Sequence, residues 1–175
     1  IWIYRWWDTT RVLALIVSIV ILVGSLSMIL KENPKGQTIF AIQKDMLLAK
    51  QLSAIDYTYE EAKGEPFSVN SLTSPLWINI VWTYLYKWYG LTKYGYIPQW
   101  HGRDQIGQLD TLPATSPDTK LYFLILEPMG GIPVRYLPDT IAEEDGFSTL
   151  QDERYFGELG VQKRIRLQLG DEEQQ

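Results

Sequence analysis

The sequence predicts an α+β domain, a small mixed sheet with helices, preceded by one transmembrane helix. Three observations carry that prediction. A run without charge or proline fills positions 12–30. Two strand candidates, 67–72 with alternating polarity and 121–126 apolar on both faces, are separated by a helical segment, which is the pattern of a right-handed parallel crossover. Two more strand candidates, 148–155 and 160–169, follow each other closely enough to pair antiparallel. The expected division is an anchor with its flanks at 1–37, a domain at 38–169 and a polar tail at 170–175.

The anchor comes first along the chain. Its nineteen residues read VLALIVSIVILVGSLSMIL. At about 1.5 Å per residue, a helix of that length matches the hydrocarbon thickness of a bilayer. Arg11 and Lys31 bracket the run, and Trp2, Tyr4, Trp6 and Trp7 stand before it, where amphipathic rings favour the headgroup region. A buried core helix rarely lacks charge over this length. A secretory signal has a shorter apolar region and a small-residue cleavage site, whereas Lys31-Glu32-Asn33-Pro34 follows here. The chain opens on Ile1 in mid-pattern, so the expectation is the C-terminal piece of a longer membrane protein. Two basic residues lie on either flank, and charge alone therefore gives no orientation.

Beyond Pro34 and Gly36 the periodicity becomes amphipathic. A helix is expected over 38–63, with Leu48, Leu52, Ile55, Tyr59 and Ala62 on one stripe and Gly64 and Pro66 as its stop. Phe67-Ser68-Val69-Asn70-Ser71-Leu72 alternates as a strand. Ser74-Pro75 then reads as a helix start, with the helix running over 76–89 and ending at Gly90. Its apolar stripe is Trp77, Val81, Tyr84 and Trp88, with Asn79, Thr83 and Tyr86 on a weaker polar side. That helix is too short and too polar for a second span. Residues 91–118 show no period and read as a long loop. Leu121-Tyr122-Phe123-Leu124-Ile125-Leu126 is apolar on both faces and should be the central strand. A short helix is expected over 138–145. Lys163, Arg164 and Arg166 suit a solvated edge strand. The expected core comprises Leu52, Ile55, Phe67, Trp77, Val81, Leu124 and Leu126.

Composition narrows the function. The net charge is −5, but residues 1–37 hold four basic and two acidic side chains, so the remainder carries −7. An acidic domain argues against a nucleic-acid partner, because phosphate binding needs clustered Lys and Arg. No cysteine is present, which excludes disulfides and thiolate chemistry. No Gly-rich phosphate loop, metal-binding His pair or nucleophile elbow occurs, and neither a metal nor a cofactor is expected. The single histidine, His101, sits in the polar segment Trp100-His101-Gly102-Arg103-Asp104. No partner motif points at it, so an ordinary loop role is favoured over a catalytic one.

Two aromatic clusters remain: Asp56-Tyr57-Thr58-Tyr59, and the series Tyr89, Tyr94, Tyr96 and Trp100 with Arg103 and Asp104 close by. Flat rings beside Asp and Arg are what a sugar-binding surface uses. The same rings are also large core fillers, and they favour lipid headgroups. Candidate ligand-binding residues are therefore Asp56, Tyr89, Tyr94, Tyr96, Trp100, Arg103 and Asp104. Glu127 joins them, because it closes the central strand where α/β sheets commonly place ligand groups.

Several of these strings also carry a resemblance. Ala54-Ile55-Asp56-Tyr57-Thr58-Tyr59, Gly64-Glu65-Pro66-Phe67, Trp88-Tyr89-Gly90 and Lys93-Tyr94-Gly95-Tyr96 belong to it, as do Phe156-Gly157-Glu158-Leu159 and Val161-Gln162-Lys163-Arg164. Together they resemble the C-terminal extracytoplasmic region of bacterial polytopic proteins related to dolichyl-phosphate-mannose protein mannosyltransferases, over most of 38–166. The resemblance implies a glycosyltransferase parent that uses a polyprenyl-phosphate-linked sugar, with this domain outside the cytoplasm at the cell membrane. It also implies that the catalytic acidic residue lies in an earlier loop, so no residue of this chain inherits a catalytic role. The bilayer and a lipid-linked sugar or acceptor are then the expected partners. The alternative is a membrane-tethered module that binds a ligand or a protein without enzymatic activity. A purely structural domain of a membrane complex is a third reading.

Overall fold

The computed structural model describes residues 11–32, 46–103, 105 and 111–167. It is a mixed α+β fold with a five-stranded mixed sheet and one long apolar helix at its N-terminal side. That helix, α1 (Arg11–Glu32), has 22 residues and spans roughly 33 Å at the α-helical rise. It is long and apolar enough to cross a membrane, and its Val, Leu and Ile side chains point outward almost all round. The Ser18 hydroxyl donates to the Ala14 carbonyl 2.9 Å away, so this polar group is satisfied within the helix. The aromatic flank at Trp2, Tyr4, Trp6 and Trp7 lies outside the described residues.

Helix α2 (Leu48–Ala62) buries Ala54, Ile55, Tyr57, Thr58, Tyr59 and Ala62. Leu52 is half-buried against them, whereas Leu48 is exposed. Lys63 and then Gly64 take left-handed backbone angles and turn the chain out of the helix. The part of the expected helix before residue 46 lies outside the described residues. Strand β1 (Phe67–Leu72) follows, and the next expectations need correction. The Ser74–Pro75 peptide is cis and does not start a helix; helix α3 begins only at Ile80 (Ile80–Leu85). Nor does Gly90 end it. The chain passes through a π turn (Tyr86–Gly90) into α4 (Leu91–Tyr94), and Gly95, at φ +83°, is the true terminus. Gly90 is tolerated because it faces Tyr59: a Cβ there would come within 2.5 Å of the Tyr59 hydroxyl.

The α3–α4 stretch is also turned inside out relative to the expected stripe. Asn79, Trp82, Thr83, Leu85 and Tyr86 are buried, while Trp77, Ile80, Val81, Tyr84, Trp88 and Leu91 are exposed. Trp77 and Val81 are therefore not core. The inward polar groups are bonded there: Thr83 donates to Gln105 Oε1 (3.3 Å), and the Tyr86 and Thr58 hydroxyls lie 3.2 Å apart. A periodicity of apolar residues on two sides cannot by itself tell inside from outside.

The expected long loop holds a two-residue strand, β2 (Gln99–Trp100), which pairs parallel with β1. Strand β3 (Leu121–Leu126) pairs parallel with β1 along its whole length, as the crossover predicts, and occupies the middle of the order β2-β1-β3-β5-β4, in which β4 is Ser148–Phe156 and β5 is Leu159–Arg166. Helix α5 (Tyr136–Asp145) starts two residues earlier than expected. Strands β4 (Ser148–Phe156) and β5 (Leu159–Arg166) form the antiparallel pair. Here too the sheet departs from expectation. β5 lies between β3 and β4, so it is not an edge, and Arg164 is fully buried. Its guanidinium donates to Ser148 Oγ, Gln162 Oε1 and Asp145 Oδ1, which makes an interior position tenable for a permanent charge. The true long edge is β4, solvent-exposed over most of its length, carrying Asp152, Glu153 and Arg154 and broken by a register shift between Leu150 and Asp152.

Two apolar clusters sandwich the sheet. Phe67, Val69, Phe123, Ile125 and Val161 meet α2, Trp82, Leu85 and Tyr86 on one face. Leu72, Tyr122, Leu124 and Leu126 meet Leu137 and Phe147 on the other. The domain docks onto the end of α1 at one corner. The Val134 N–H donates to the Glu32 carbonyl (3.1 Å), and Arg135 lies 3.8 Å from the Glu32 carboxylate.

Candidate functional site

The carboxyl ends of parallel strands leave their last carbonyls and side chains facing a crevice, which is where α/β sheets collect ligands. The described residues form such a cleft at the ends of β1 and β2, with a volume of about 260 Å³. Asn70, Ser71 and Leu72 of β1 make its floor, and Trp100, His101, Gly102 and Arg103 make one wall. The opposite wall is α5, through Tyr136, Asp139, Thr140, Glu143 and Glu144, and Trp77 stands at the rim.

Close backbone approach shapes that wall. A Cβ on Gly102 would run into the Asn70 carboxamide oxygen and the Trp100 ring, so only glycine fits. Trp100 itself is buried: its indole N–H donates to the Arg103 carbonyl (2.7 Å) and its peptide N–H to Pro113 O (2.7 Å). Those bonds fold the 100–103 segment back so that the Arg103 guanidinium stacks 4.7 Å from the Trp77 ring centre. His101 packs edge-on to Tyr122 at 5.1 Å and near Phe147 at 4.8 Å. Burial, then the Arg166 charge, holds its imidazole below the usual value.

Glu144 is the chemically distinctive group of the cleft. It is 3% exposed, and its Oε1 accepts from Asn70 Nδ2 at 2.8 Å. Its Oε2 is buried, as is the Tyr122 hydroxyl beside it. Burial raises the Glu144 carboxyl above its usual value against the opposing pull of Tyr122, Asn70 and Arg164. The Tyr122 hydroxyl is the donor beside Oε2, and the pair lies behind the cleft wall, closed to solvent.

The raised carboxyl has a measurable consequence. The folded protein holds this proton more tightly than the unfolded chain does. Its contribution to stability is therefore complete below the ordinary value of 4.5 and is lost as pH rises through the folded value. Glu127, also raised by burial, acts in the same sense. The His101 imidazole, held below its usual value, acts in the opposite sense over the same range but is common to wild type and Glu144→Gln. The stability of wild type relative to Glu144→Gln should therefore fall as pH rises from about 5 to about 7. Equal pH dependence in wild type and Glu144→Gln would contradict the assignment.

The structure distributes the sequence-predicted residues over three places. Asp56, Tyr89 and Tyr94 converge at the α2–α4 contact. The Tyr89 hydroxyl donates to Asp56 Oδ2 (3.0 Å), and the Tyr94 hydroxyl and Lys93 Nζ donate to Oδ1 (2.8 and 2.9 Å). Burial pushes Asp56 up, but the bonds from Lys93, Tyr94 and Tyr89 outweigh it and leave the carboxyl below its usual value. Burial and the Asp56 bond together push Tyr94 up to about 12. The polar groups of this cluster are satisfied by one another, and the Tyr94 ring stacks on Tyr59 at 4.2 Å. Tyr96 packs against Tyr59 and Phe67 within the same aromatic core.

Trp100 and Arg103 belong to the cleft instead, and Asp104 lies outside the described residues. Glu127 sits apart from both groups, buried at the end of β3. Its two oxygens accept from Trp82 Nε1 (2.8 Å) and the Ser74 N–H (2.9 Å), which ties α3 and the 73–75 segment to the sheet. Sequence reasoning missed Asn70, Trp77, Tyr136, Asp139 and Glu144. Asn70 was accessible in principle, as the polar interruption of a strand near its carboxyl end. No local pattern marks Glu144, which meets Asn70 across 74 residues of chain.

Among the described residues, no group of three or more His, Cys, Asp or Glu side chains is arranged to hold a metal ion. What the cleft offers is recognition chemistry: rings, carboxylates on α5 and a guanidinium. Its class is thus a mixed α+β domain with a polar, aromatic-rimmed cleft beside a long apolar helix. Comparison of the chain with protein-family models, curated proteins and solved structures finds no match.

Proposed function

We propose that this chain is the membrane anchor and accessory domain of a glycosyltransferase using a polyprenyl-phosphate-linked sugar, and that its cleft receives a hydroxyl-rich headgroup or acceptor at the bilayer surface. In this reading α1 crosses the membrane, the domain lies on the extracytoplasmic side, and bond-making chemistry belongs to another part of the parent protein. One observation carries it. Tyr136, which lines the cleft, follows directly on Val134 and Arg135, the residues that bind the end of α1 at Glu32. A cleft at that corner opens beside the plane where the apolar helix would leave the lipid. The cleft's polar lining, from Asp139 and Glu143 to Arg103, supports a second, simpler reading, a tethered binding module with no transferase parent.

Titration separates these readings from a purely structural role. The full chain in lipid nanodiscs should show saturable binding of a polyprenyl-phosphate hexose carried in the same bilayer, read from intrinsic tryptophan fluorescence. Asp139→Ala with Glu143→Ala should weaken that binding about tenfold, the scale of one or two lost hydrogen bonds. Saturable binding of the free sugar with equal strength would favour the simpler module. No binding of either probe would refute a ligand role for the cleft.

A further inference from the structure

We infer that the outward face of the α3–α4 stretch is a membrane-docking surface, seated in the lipid headgroup layer alongside the end of α1. The inference rests on the reading that α1 spans a bilayer.

The first ground is the apolar outward face described above. The stretch buries Trp82 and Leu85 together with Asn79, Thr83 and Tyr86, yet still turns Ile80, Val81, Tyr84, Trp88 and Leu91 outward. A helix that is apolar on its outward face as well as its buried one is built for a second apolar environment. The second ground is the kind of side chain exposed. Trp77, Tyr84 and Trp88 are rings with one polar atom, the residues that favour the headgroup depth, and Tyr84 and Trp88 stack in parallel at 5.9 Å as one surface slab.

Charge points the same way. Residues 76–95 contain Lys87 and Lys93 and no Asp or Glu, in a chain whose part beyond residue 37 carries a net −7. Lys93 is paired with Asp56, so what the segment offers anionic lipid is the absence of any acidic side chain of its own. Continuity supplies the fourth ground and decides between a bilayer and a second copy of the chain. The Tyr136 ring, next to the Arg135 that pairs with Glu32, meets the Trp77 ring edge-to-face at 6.0 Å. The apolar surface therefore begins one contact away from the point where α1 ends, at the depth where aromatic rings are stabilised.

The chain has no cysteine, so single cysteines can carry a nitroxide without background. Ile21→Cys, Tyr84→Cys, Trp88→Cys and Leu150→Cys in the full chain, reconstituted in vesicles containing one-third anionic lipid, report depth through collision with oxygen and with a water-soluble nickel chelate. Positions 84 and 88 are exposed and should fold as wild type. Both labels are expected to favour oxygen over the chelate several-fold more than position 150, on the opposite margin of the sheet, and less than position 21. If position 21 reads as lipid while 84 and 88 read as water, docking is refuted and the anchor stands. If position 21 also reads as water, the spanning reading fails as well. If 84 and 88 are shielded from both reagents, a protein partner covers the face and the bilayer assignment is overturned.

Discussion

Phe123→Ala is expected to cost about 3–5 kcal/mol of unfolding free energy, enough to leave the domain largely unfolded at moderate denaturant. Phe123 is fully buried in the middle strand and is held edge-to-face by Phe67 at 5.4 Å and Tyr57 at 6.1 Å. Removing the ring takes a packing partner from α2 and from β1 together, and two elements fixed to the same sheet cannot both collapse into the space. Urea titration of the full chain in detergent, followed by circular dichroism, measures the loss. Leu150→Ala, on the exposed edge strand, should change stability by less than about 0.5 kcal/mol. A Phe123→Ala variant that matched it would mean that β3 is not the centre of the sheet.

The second large effect is expected at Arg164. Arg164→Leu removes a fully buried guanidinium and leaves the Ser148 hydroxyl and the Gln162 carboxamide oxygen without their donor. Each charged hydrogen bond is worth about 1.5–3 kcal/mol, and part of the loss returns through the lower desolvation of leucine. A net cost of about 2–4 kcal/mol follows. Asp145→Asn touches the same ion pair from its exposed side, where solvent screens the charge, and should cost less than about 1 kcal/mol. The asymmetry is the test: equal costs would mean that the ion pair, and not the hydrogen-bonded interior position, is what stabilises this corner.

Arg164 also shows where the sequence could be read and where it could not. Strand β1 was legible from its period-two alternation and β3 from a short run apolar on both faces, and their parallel pairing followed from the helix between them. β5 was misplaced at the edge because Lys163, Arg164 and Arg166 look solvated. Arg164 becomes acceptable inside only through Gln162, two residues away on the same strand, and through Asp145 and Ser148, which the fold brings around the guanidinium.

The α3–α4 stretch defeated periodicity for another reason. Both of its sides are apolar, and the inward assignment depends on hydrogen bonds to Thr58, Gln105 and Glu127 that no local window contains. Of the candidate site, the aromatic clusters stood out by composition. The sequence could not say that Asp56, Tyr89 and Tyr94 would satisfy one another while Trp100 and Arg103 lined a separate cleft. Glu144 stayed invisible because its significance comes from closure of α5 over β1.

The margins of the sheet bear on how such molecules live together. If α1 is held in a bilayer as proposed above, each chain meets its neighbours side by side in two dimensions. Unpaired strand edges are then an open invitation to cross-chain polymerisation. One margin here is β2, only two residues long. The other is β4, kinked between Leu150 and Asp152 and lined with Asp152, Glu153 and Arg154. Neither presents the straight, uncharged ladder that a neighbour would need to continue the sheet, so crowding should leave these domains as individuals.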